Sequence, residues 1–326
     1  MLRTLFAYIV RKTIFSILVL FLSSIVIFGL VALGPDPLTE LKLNPRVTQA
    51  DVNRITEEYG LDQPLPVQYG IWMRDIVFHG DFGTSFKQNT SVNSIMVIRI
   101  WPTVLLMGAS LMVTVLIAIP FGIYSAIKKY STLDNAGTFL SFVGYSMPTF
   151  WLGLILQLVL GVYLTAWSGY RFVYISGMIS PEGGGIVDLL KHLALPTITL
   201  SVISVAEFSR FQRSAMLDVL ASDYLRTARA KGLSRRVVYL KHALRNALLP
   251  TVTVVALSVG LIFGGAVITE TVFAWPGLGY LLADSLFKGD YNVARALLLI
   301  GAALIVFFNL AADIVYSLVD PRVSYG

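Results

Sequence analysis

Charged residues that could do chemistry are few in this sequence, and most of them lie in one stretch. Charged side chains make up 13% of the chain and hydrophobic residues 56%. The densest charge lies in DYLRTARAKGLSRRVVYLKHALRNALLP, residues 223–250, which has a single glycine, Gly232. Glu207 and Glu270 lie within or beside apolar runs. Ionisable residues in such runs are functional candidates because they are costly to place in lipid.

Several kinds of chemistry are excluded by residue type and spacing. The chain has no cysteine, which excludes disulfides and thiolate metal sites. His79, His192 and His242 are far apart, and no zinc-binding spacing occurs, so no metal site is expected. The Walker A phosphate loop and the G-x-S-x-G nucleophile turn are also absent from the sequence. We therefore expect neither ATP binding through such a loop nor an enzyme.

Long uncharged runs predict an all-α polytopic membrane protein with six transmembrane helices. A span needs about 20 apolar residues. The clearest runs are 13–34, 100–127, 135–170, 246–269 and 296–312. A sixth run starts at Leu193 but meets Glu207 and Arg210, so it spans only if these charges face protein or the inner surface. Run 13–34 is too long for a secretory signal and is interpreted as a retained first span.

The distribution of Lys and Arg predicts the orientation of the chain in the membrane. Residues 218–247 contain seven basic and two acidic residues, whereas residues 35–99 contain six basic and eight acidic residues. The basic loop and both termini are therefore expected in the cytoplasm. The predicted division is 1–34 for the N-terminal end and first span, 35–100 for a long external segment, and 101–326 for a five-span core with the cytoplasmic loop 218–247.

The external segment is long enough to fold. Apolar residues recur at helical spacing over 52–59 and, after Pro64 and Pro66, over 67–78. The second helix is expected to lie on the membrane or on a partner. A folded cap and a dedicated ligand site both remain open for this segment.

The basic stretch is predicted to form two short helices on either side of Gly232. Ser222 suits a helix start, and Gly232 suits a left-handed C-terminal cap. Ser234 begins a second helix that reaches residue 245, and Pro250 marks entry to the next span. Charge alone would indicate only topology, but two capped helices favour partner binding.

Glu207 has two possible roles. Arg210 follows it at i+3 on the same helix face, so the two side chains can form a structural ion pair, with Arg213 extending to the membrane surface. The alternative is that these charges line a translocation pathway.

The basic stretch resembles the cytoplasmic EAA loop of ABC importer permeases, in the form found in dipeptide, oligopeptide and nickel permeases. RTA at residues 226–228 lies where many importers have Glu-Ala-Ala, Gly232 matches the motif glycine, and NALLP at 246–250 closes the motif. The motif glutamate is missing, and the interval from glycine to proline is longer than in sugar permeases. Other matching segments follow in order: GLDQPLPVQY, GDFGTS, SMPTFWLG, HLALPTITL, ETVFAWPGLG and DPR.

This resemblance implies the type I importer permease fold and a set of partners. These are a second homologous permease, two ATPase subunits that bind ATP and magnesium, and an external solute-binding protein that delivers peptide. The long segment after the first span is typical of the B-type permease of the pair. The implied location is the inner or plasma membrane of a bacterium, in contact with lipid and without nucleic acid.

The resemblance also implies alternating access driven by the partner ATPases. The expected coupling residues are Arg226, Thr227, Ala228, Lys231, Gly232, Leu233 and Ser234. Pathway or gate candidates are Glu207, Arg210 and Glu270. An importer for nickel, haem or glutathione remains open, as does an ion-driven secondary transporter or channel, although neither deep charges nor an internal repeat is evident.

Overall fold

The computed structural model describes residues 2–34, 38, 39, 42, 48–58 and 60–319, without the side chains of 2–6, 51, 55, 58, 253, 256–265 and 315–319. Within these residues the chain is built from helices. They are α1 (Leu2–Ala32), α2 (Gln49–Glu58), α3 (Leu65–His79), α4 (Val92–Ile127), α5 (Thr132–Ser146), α6 (Thr149–Ser168), α7 (Ile186–Leu220), α8 (Asp223–Ala230), α9 (Arg235–Val237), α10 (Leu244–Val272), α11 (Leu278–Phe287) and α12 (Tyr291–Val319).

Five of the described helices are long and apolar enough to cross a membrane. They are Ala7–Ala32, Val92–Ile127, Thr149–Ser168, Ile186–Leu220 and Tyr291–Ile314. The interrupted run from Leu193 is thus part of one 35-residue helix. The predicted run 246–269 lies in α10, where many side chains are outside the described residues, so the count of six spans stays a prediction.

The uncharged run 135–170 contains two helices and not one, and the second of them is the candidate span Thr149–Ser168. α5 ends at Ser146, and α6 begins at Thr149 after Met147 and Pro148. Met147 is extended (φ −83°, ψ 126°), as expected for a residue before proline. Proline also lacks the N–H that would continue the helix, so hydropathy alone could not locate this boundary.

α4 and α7 pack along each other and form the centre of the bundle. Their close approach is visible at Gly122, where an added Cβ would lie 2.6 Å from the carbonyl oxygen of Ser209. α5 and α10 pack against α7, and α12 packs against both α1 and α10. A side chain at position 122 would therefore separate the two central helices.

The segment between α1 and α4 contains the two predicted helices, α2 and α3, although Tyr59 lies outside the described residues. Against expectation, α3 also packs on this chain's own α1, where Trp72 and Phe28 share a buried cluster. The segment is fastened to the start of α12, since Ser85 donates through Oγ to the carboxylate of Asp290. A second hydrogen bond runs from Asn292 Nδ2 to the carbonyl oxygen of Thr84, 2.8 Å away.

Candidate functional site

The basic segment, residues 222–247, adopts the predicted turn at its glycine. α8 ends at Ala230, and Gly232 has a left-handed backbone with φ +80°. The N–H groups of Gly232 and Leu233 donate to the carbonyl oxygens of Arg229 (3.0 Å) and Ala228 (3.4 Å), which satisfies the end of the helix. The left-handed cap predicted for Gly232 is confirmed.

The second half of the basic segment differs from the prediction. α9 continues through a π-helical segment, Val238–Ala243, directly into α10. Pro250 therefore lies inside a continuous helix and not at the entry to a span. Since neighbouring helices can satisfy a freed carbonyl, proline at this position does not by itself end a membrane helix.

The basic segment is anchored to the bundle by a small apolar cluster. Leu225 of α8 and Val238 are fully buried and pack with Met216 of α7 and Ala126 of α4. A hydrogen bond of 2.7 Å from Asn246 Nδ2 to Tyr224 Oη joins the two halves of the segment. These contacts join α8 to the ends of α4 and α7.

Outside this apolar cluster, the basic segment is exposed. All seven of its basic side chains are exposed: Arg226, Arg229, Lys231, Arg235, Arg236, Lys241 and Arg245. Leu233, Val237 and Leu240 are exposed among them. The predicted coupling residues Thr227 and Ser234 are also exposed, whereas Ala228 packs partly against the apolar cluster. The segment therefore presents a mixed basic and apolar surface, and its role in coupling stays a prediction.

The predicted ion pair between Glu207 and Arg210 is wrong. Both side chains are exposed, and the Arg210 guanidinium lies over the Phe142 ring of α5, 4.4 Å from its centroid. Glu207 has no ion-pair or hydrogen-bond partner among the described residues. Spacing on one helix allowed the pair, but the neighbouring helix supplied an aromatic face instead. A pathway role for Glu207 and Arg210 stays a prediction.

Arg213, which was expected to extend to the membrane surface, forms an ion pair with Asp134 that the sequence analysis did not predict. Its Nε and Nη2 atoms donate to the two carboxylate oxygens of Asp134 at 2.8 and 2.9 Å. These hydrogen bonds lower the pKa of Asp134, which is buried at the start of α5. This pair joins α5 to α7 and was missed because its members are 79 residues apart.

A second connection near the basic segment was also missed. Gln212 of α7 is fully buried and accepts a 2.6 Å hydrogen bond from Thr251 Oγ1 of α10. A buried amide in an apolar helix requires such a partner. The position of Gln212 among the charged residues after Glu207 was the available sequence signal. The sequence did not reveal its partner, Thr251.

Glu270 lies in the last turn of α10, next to the buried connection that leads to α11. Thr103 Oγ1 donates to its Oε1 at 2.7 Å, and the Tyr280 N–H donates to its Oε2 at 2.9 Å. The side chain has no exposed surface. A pathway or gate role for Glu270 stays a prediction, and in this structure the carboxylate holds the turn together.

Several of the motif segments meet at this turn. Trp275 Nε1 donates to the carbonyl oxygen of Pro102 at 2.8 Å, which fixes ETVFAWPGLG on α4. Gly153 of SMPTFWLG lies against Phe273, and Gln157 Nε2 donates to the carbonyl oxygen of Val272 at 3.1 Å. DPR lies outside the described residues. SMPTFWLG and ETVFAWPGLG, which are distant in sequence, therefore pack against each other.

Within the part of the chain that the structure describes, no group of three or more His, Asp or Glu side chains could hold a metal ion.

The fold defines a multi-pass helical membrane protein. Residues 118–325 match the family model described as "Binding-protein-dependent transport system inner membrane component", and residues 5–108 match the model for its N-terminal part. The chain belongs to this family of inner-membrane components of binding-protein-dependent transport systems.

Relatives of known description align with nearly the whole chain. The oligopeptide transport system permease protein AppB of Bacillus subtilis (strain 168) is 44% identical over 98% of this chain and 99% of its own length. The dipeptide transport system permease protein DppB of Escherichia coli (strain K12) is 40% identical over 83% of this chain and 85% of its own. A putative peptide permease protein of Brucella suis biovar 1 (strain 1330) is 38% identical over 97% of this chain and 98% of its own length. These similarities confirm the resemblance to dipeptide and oligopeptide permeases.

Proposed function

We propose that this chain is the B-type permease subunit of an ATP-driven importer that takes up di- or oligopeptides. The observation that carries the proposal is full-length similarity to proteins named as oligopeptide and dipeptide permeases. Family membership supports a role as one subunit of a transport system and not as an enzyme. ATP and magnesium are assigned to two partner ATPase subunits, since the sequence has no Walker A loop.

The proposed complex contains a second, homologous permease and an external solute-binding protein. Under this proposal both termini and the basic segment are cytoplasmic, and residues 35–100 are external. The one-sided excess of Lys and Arg in residues 218–247 supports that orientation.

The proposed mechanism is alternating access, with the basic segment as the coupling element. Its exposed surface combines cations with Leu233, Val237 and Leu240, which suits docking into a cleft with acidic and apolar walls. Leu225 connects that surface to Met216 of α7 and Ala126 of α4. Closure of the ATPase dimer would therefore move the two central helices together and open the paired permeases outward.

Co-purification with a tagged form of this chain tests the proposal. Mass spectrometry should identify two ATPases, a second permease and a bound peptide, none of which should appear with the untagged strain. Uptake of labelled di- and oligopeptides should be lost when the gene is deleted and restored by the wild-type chain. Loss of nickel, haem or glutathione uptake with normal peptide uptake would contradict the peptide assignment.

A further inference from the structure

Two neighbouring cavities lie between α1, α3 and α12, away from the basic segment. Their volumes are about 300 and 290 Å³. They share four lining residues, Leu61, Gln68, Phe86 and Arg295, and together we call them the Arg295 cleft.

Arg295 contributes a cation that has no acidic partner among the described residues. Its Nε donates to the carbonyl oxygen of Tyr291 at 3.3 Å, its Nη2 donates to Asn292 Oδ1, and its guanidinium carbon lies 5.0 Å from the centroid of the Phe28 ring. Among the described residues no carboxylate is within ion-pair distance, and Nη1 has no acceptor. A partly buried guanidinium without a counter-charge favours an anionic ligand.

Trp72 places a second unused donor in the wall of the same cleft. The residue is only 9% exposed, Nε1 itself is covered by protein, and no described residue accepts a hydrogen bond from it. Buried indole N–H groups usually have an acceptor. The Trp72 ring packs on Phe28 with 5.6 Å between centroids, so Phe28 contacts both Trp72 and Arg295. One charged and one neutral donor are thus held around one aromatic ring.

The cleft also contains a carboxylate, Asp75, which is already neutralised. Arg74 donates to Asp75 Oδ1 through Nε at 2.9 Å and through Nη2 at 2.8 Å. Asp75 is therefore paired with Arg74, and no described carboxylate is paired with Arg295.

The cleft lies beside the ends of two candidate spans. Arg295 is near the start of the candidate span Tyr291–Ile314, and Phe28 is near the end of Ala7–Ala32. Leu30 and Leu33 of the same region are 65% and 81% exposed. A headgroup in the cleft could therefore have its acyl chains along α1, where these apolar side chains are uncovered.

We propose that the Arg295 cleft binds a phosphate group, and its position points to the phosphodiester of a phospholipid headgroup. Nη1 of Arg295 donates to the phosphate oxygens, and Nε1 of Trp72, which is covered by protein in this structure, donates after the headgroup has displaced the atoms over it. Free inorganic phosphate presents the same oxygens, so the test separates the two sources.

Binding is measured on the full chain, purified in detergent and stripped of lipid. Native mass spectrometry and thermal stabilisation are recorded with phosphatidylglycerol and, separately, with inorganic phosphate. Arg295→Gln should weaken phosphatidylglycerol binding about tenfold or more, since a charge-assisted hydrogen bond is lost. Trp72→Phe keeps an aromatic ring against Phe28 and should weaken phosphatidylglycerol binding about threefold. The control, Lys288→Gln, removes an exposed cation that is paired with Asp284 and should bind as wild type does.

Phosphatidylglycerol binding that depends on Arg295 and is not displaced by phosphate identifies the lipid. Phosphate binding with the same dependence, without lipid binding, assigns the cleft to the free ion. Equal affinities in wild type, Arg295→Gln and Trp72→Phe overturn the proposal. If Arg295→Gln does not fold, unchanged affinity in Trp72→Phe relative to Lys288→Gln overturns it.

Discussion

Glu270 is a carboxylate in an apolar segment. The free-energy cost of burying it is offset only when its oxygens accept hydrogen bonds. The Thr103 hydroxyl that donates to Oε1 also accepts the Leu278 N–H at 2.8 Å. One hydroxyl therefore connects α4, the Glu270 side chain and the start of α11. Gly277 follows closely, and an added Cβ at this position would overlap the Glu270 carboxylate. At the scale of single residues, Glu270 is a packing centre for the turn.

Glu270→Ala should destabilise the chain strongly. It leaves the Thr103 hydroxyl and the Tyr280 N–H without an acceptor, at about 1–3 kcal/mol for each buried group. Thermal unfolding of the purified chain in detergent should show a clear fall in midpoint. The matched control is Glu207→Ala, an exposed glutamate whose loss should change stability by about 0.5 kcal/mol or less. Normal stability with lost transport in Glu270→Ala would instead support a gate role.

Among the elements, the basic segment depends on the conformation of one residue. Gly232 has φ +80°, and a Cβ built there would have no neighbour within 4 Å. A substitution therefore costs only the backbone penalty of a left-handed residue, about 1 kcal/mol and more for a β-branched side chain. That cost is too small to unfold the bundle, but it is enough to change the orientation of α8 relative to α9.

Gly232→Val should leave insertion and assembly near normal and lower transport sharply. ATP hydrolysis should be lost or should no longer respond to loaded binding protein. Reconstituted transport and ATPase activity are measured on variants matched for the amount of assembled complex. Gly232→Asn is the control, because asparagine tolerates the left-handed conformation and should retain most activity. Full coupling in Gly232→Val would remove the basis for calling the segment a coupling element.

At the scale of the whole molecule, the distribution of charge predicts how the bundle lies in the membrane. The seven exposed cations of residues 226–245 are on one connection between helices, whereas residues 35–99 carry more acids than bases. The positive-inside rule then places the basic segment in the cytoplasm and residues 35–100 outside.

Single cysteines in this cysteine-free chain test the orientation. Gln88→Cys, at an exposed position before α4, should react with an impermeant maleimide in intact cells. Ser234→Cys, exposed beside Gly232, should react only after the membrane is permeabilised. Labelling of Ser234→Cys in intact cells would reverse the predicted topology.

The sequence by itself determined features that depend on near neighbours along the chain. Uncharged runs located most of the long helices, because a span must be apolar along its whole length. Local sequence also predicted α2 and α3, from the helical spacing of apolar residues, and the left-handed cap at Gly232. In each case the deciding interaction lies within a few residues.

Only the tertiary structure decided which side chains meet across helices. Arg210 had a suitable partner, Glu207, on its own helix, yet its guanidinium packs on Phe142 of α5. Arg213 forms an ion pair with Asp134. The outcome at the prolines likewise differed, with a helix end before Pro148 and a continuous helix through Pro250. The physical reason is that the free energy of a charge or of a freed carbonyl in a membrane helix depends on the groups that neighbouring helices bring to it, and these come from distant parts of the chain.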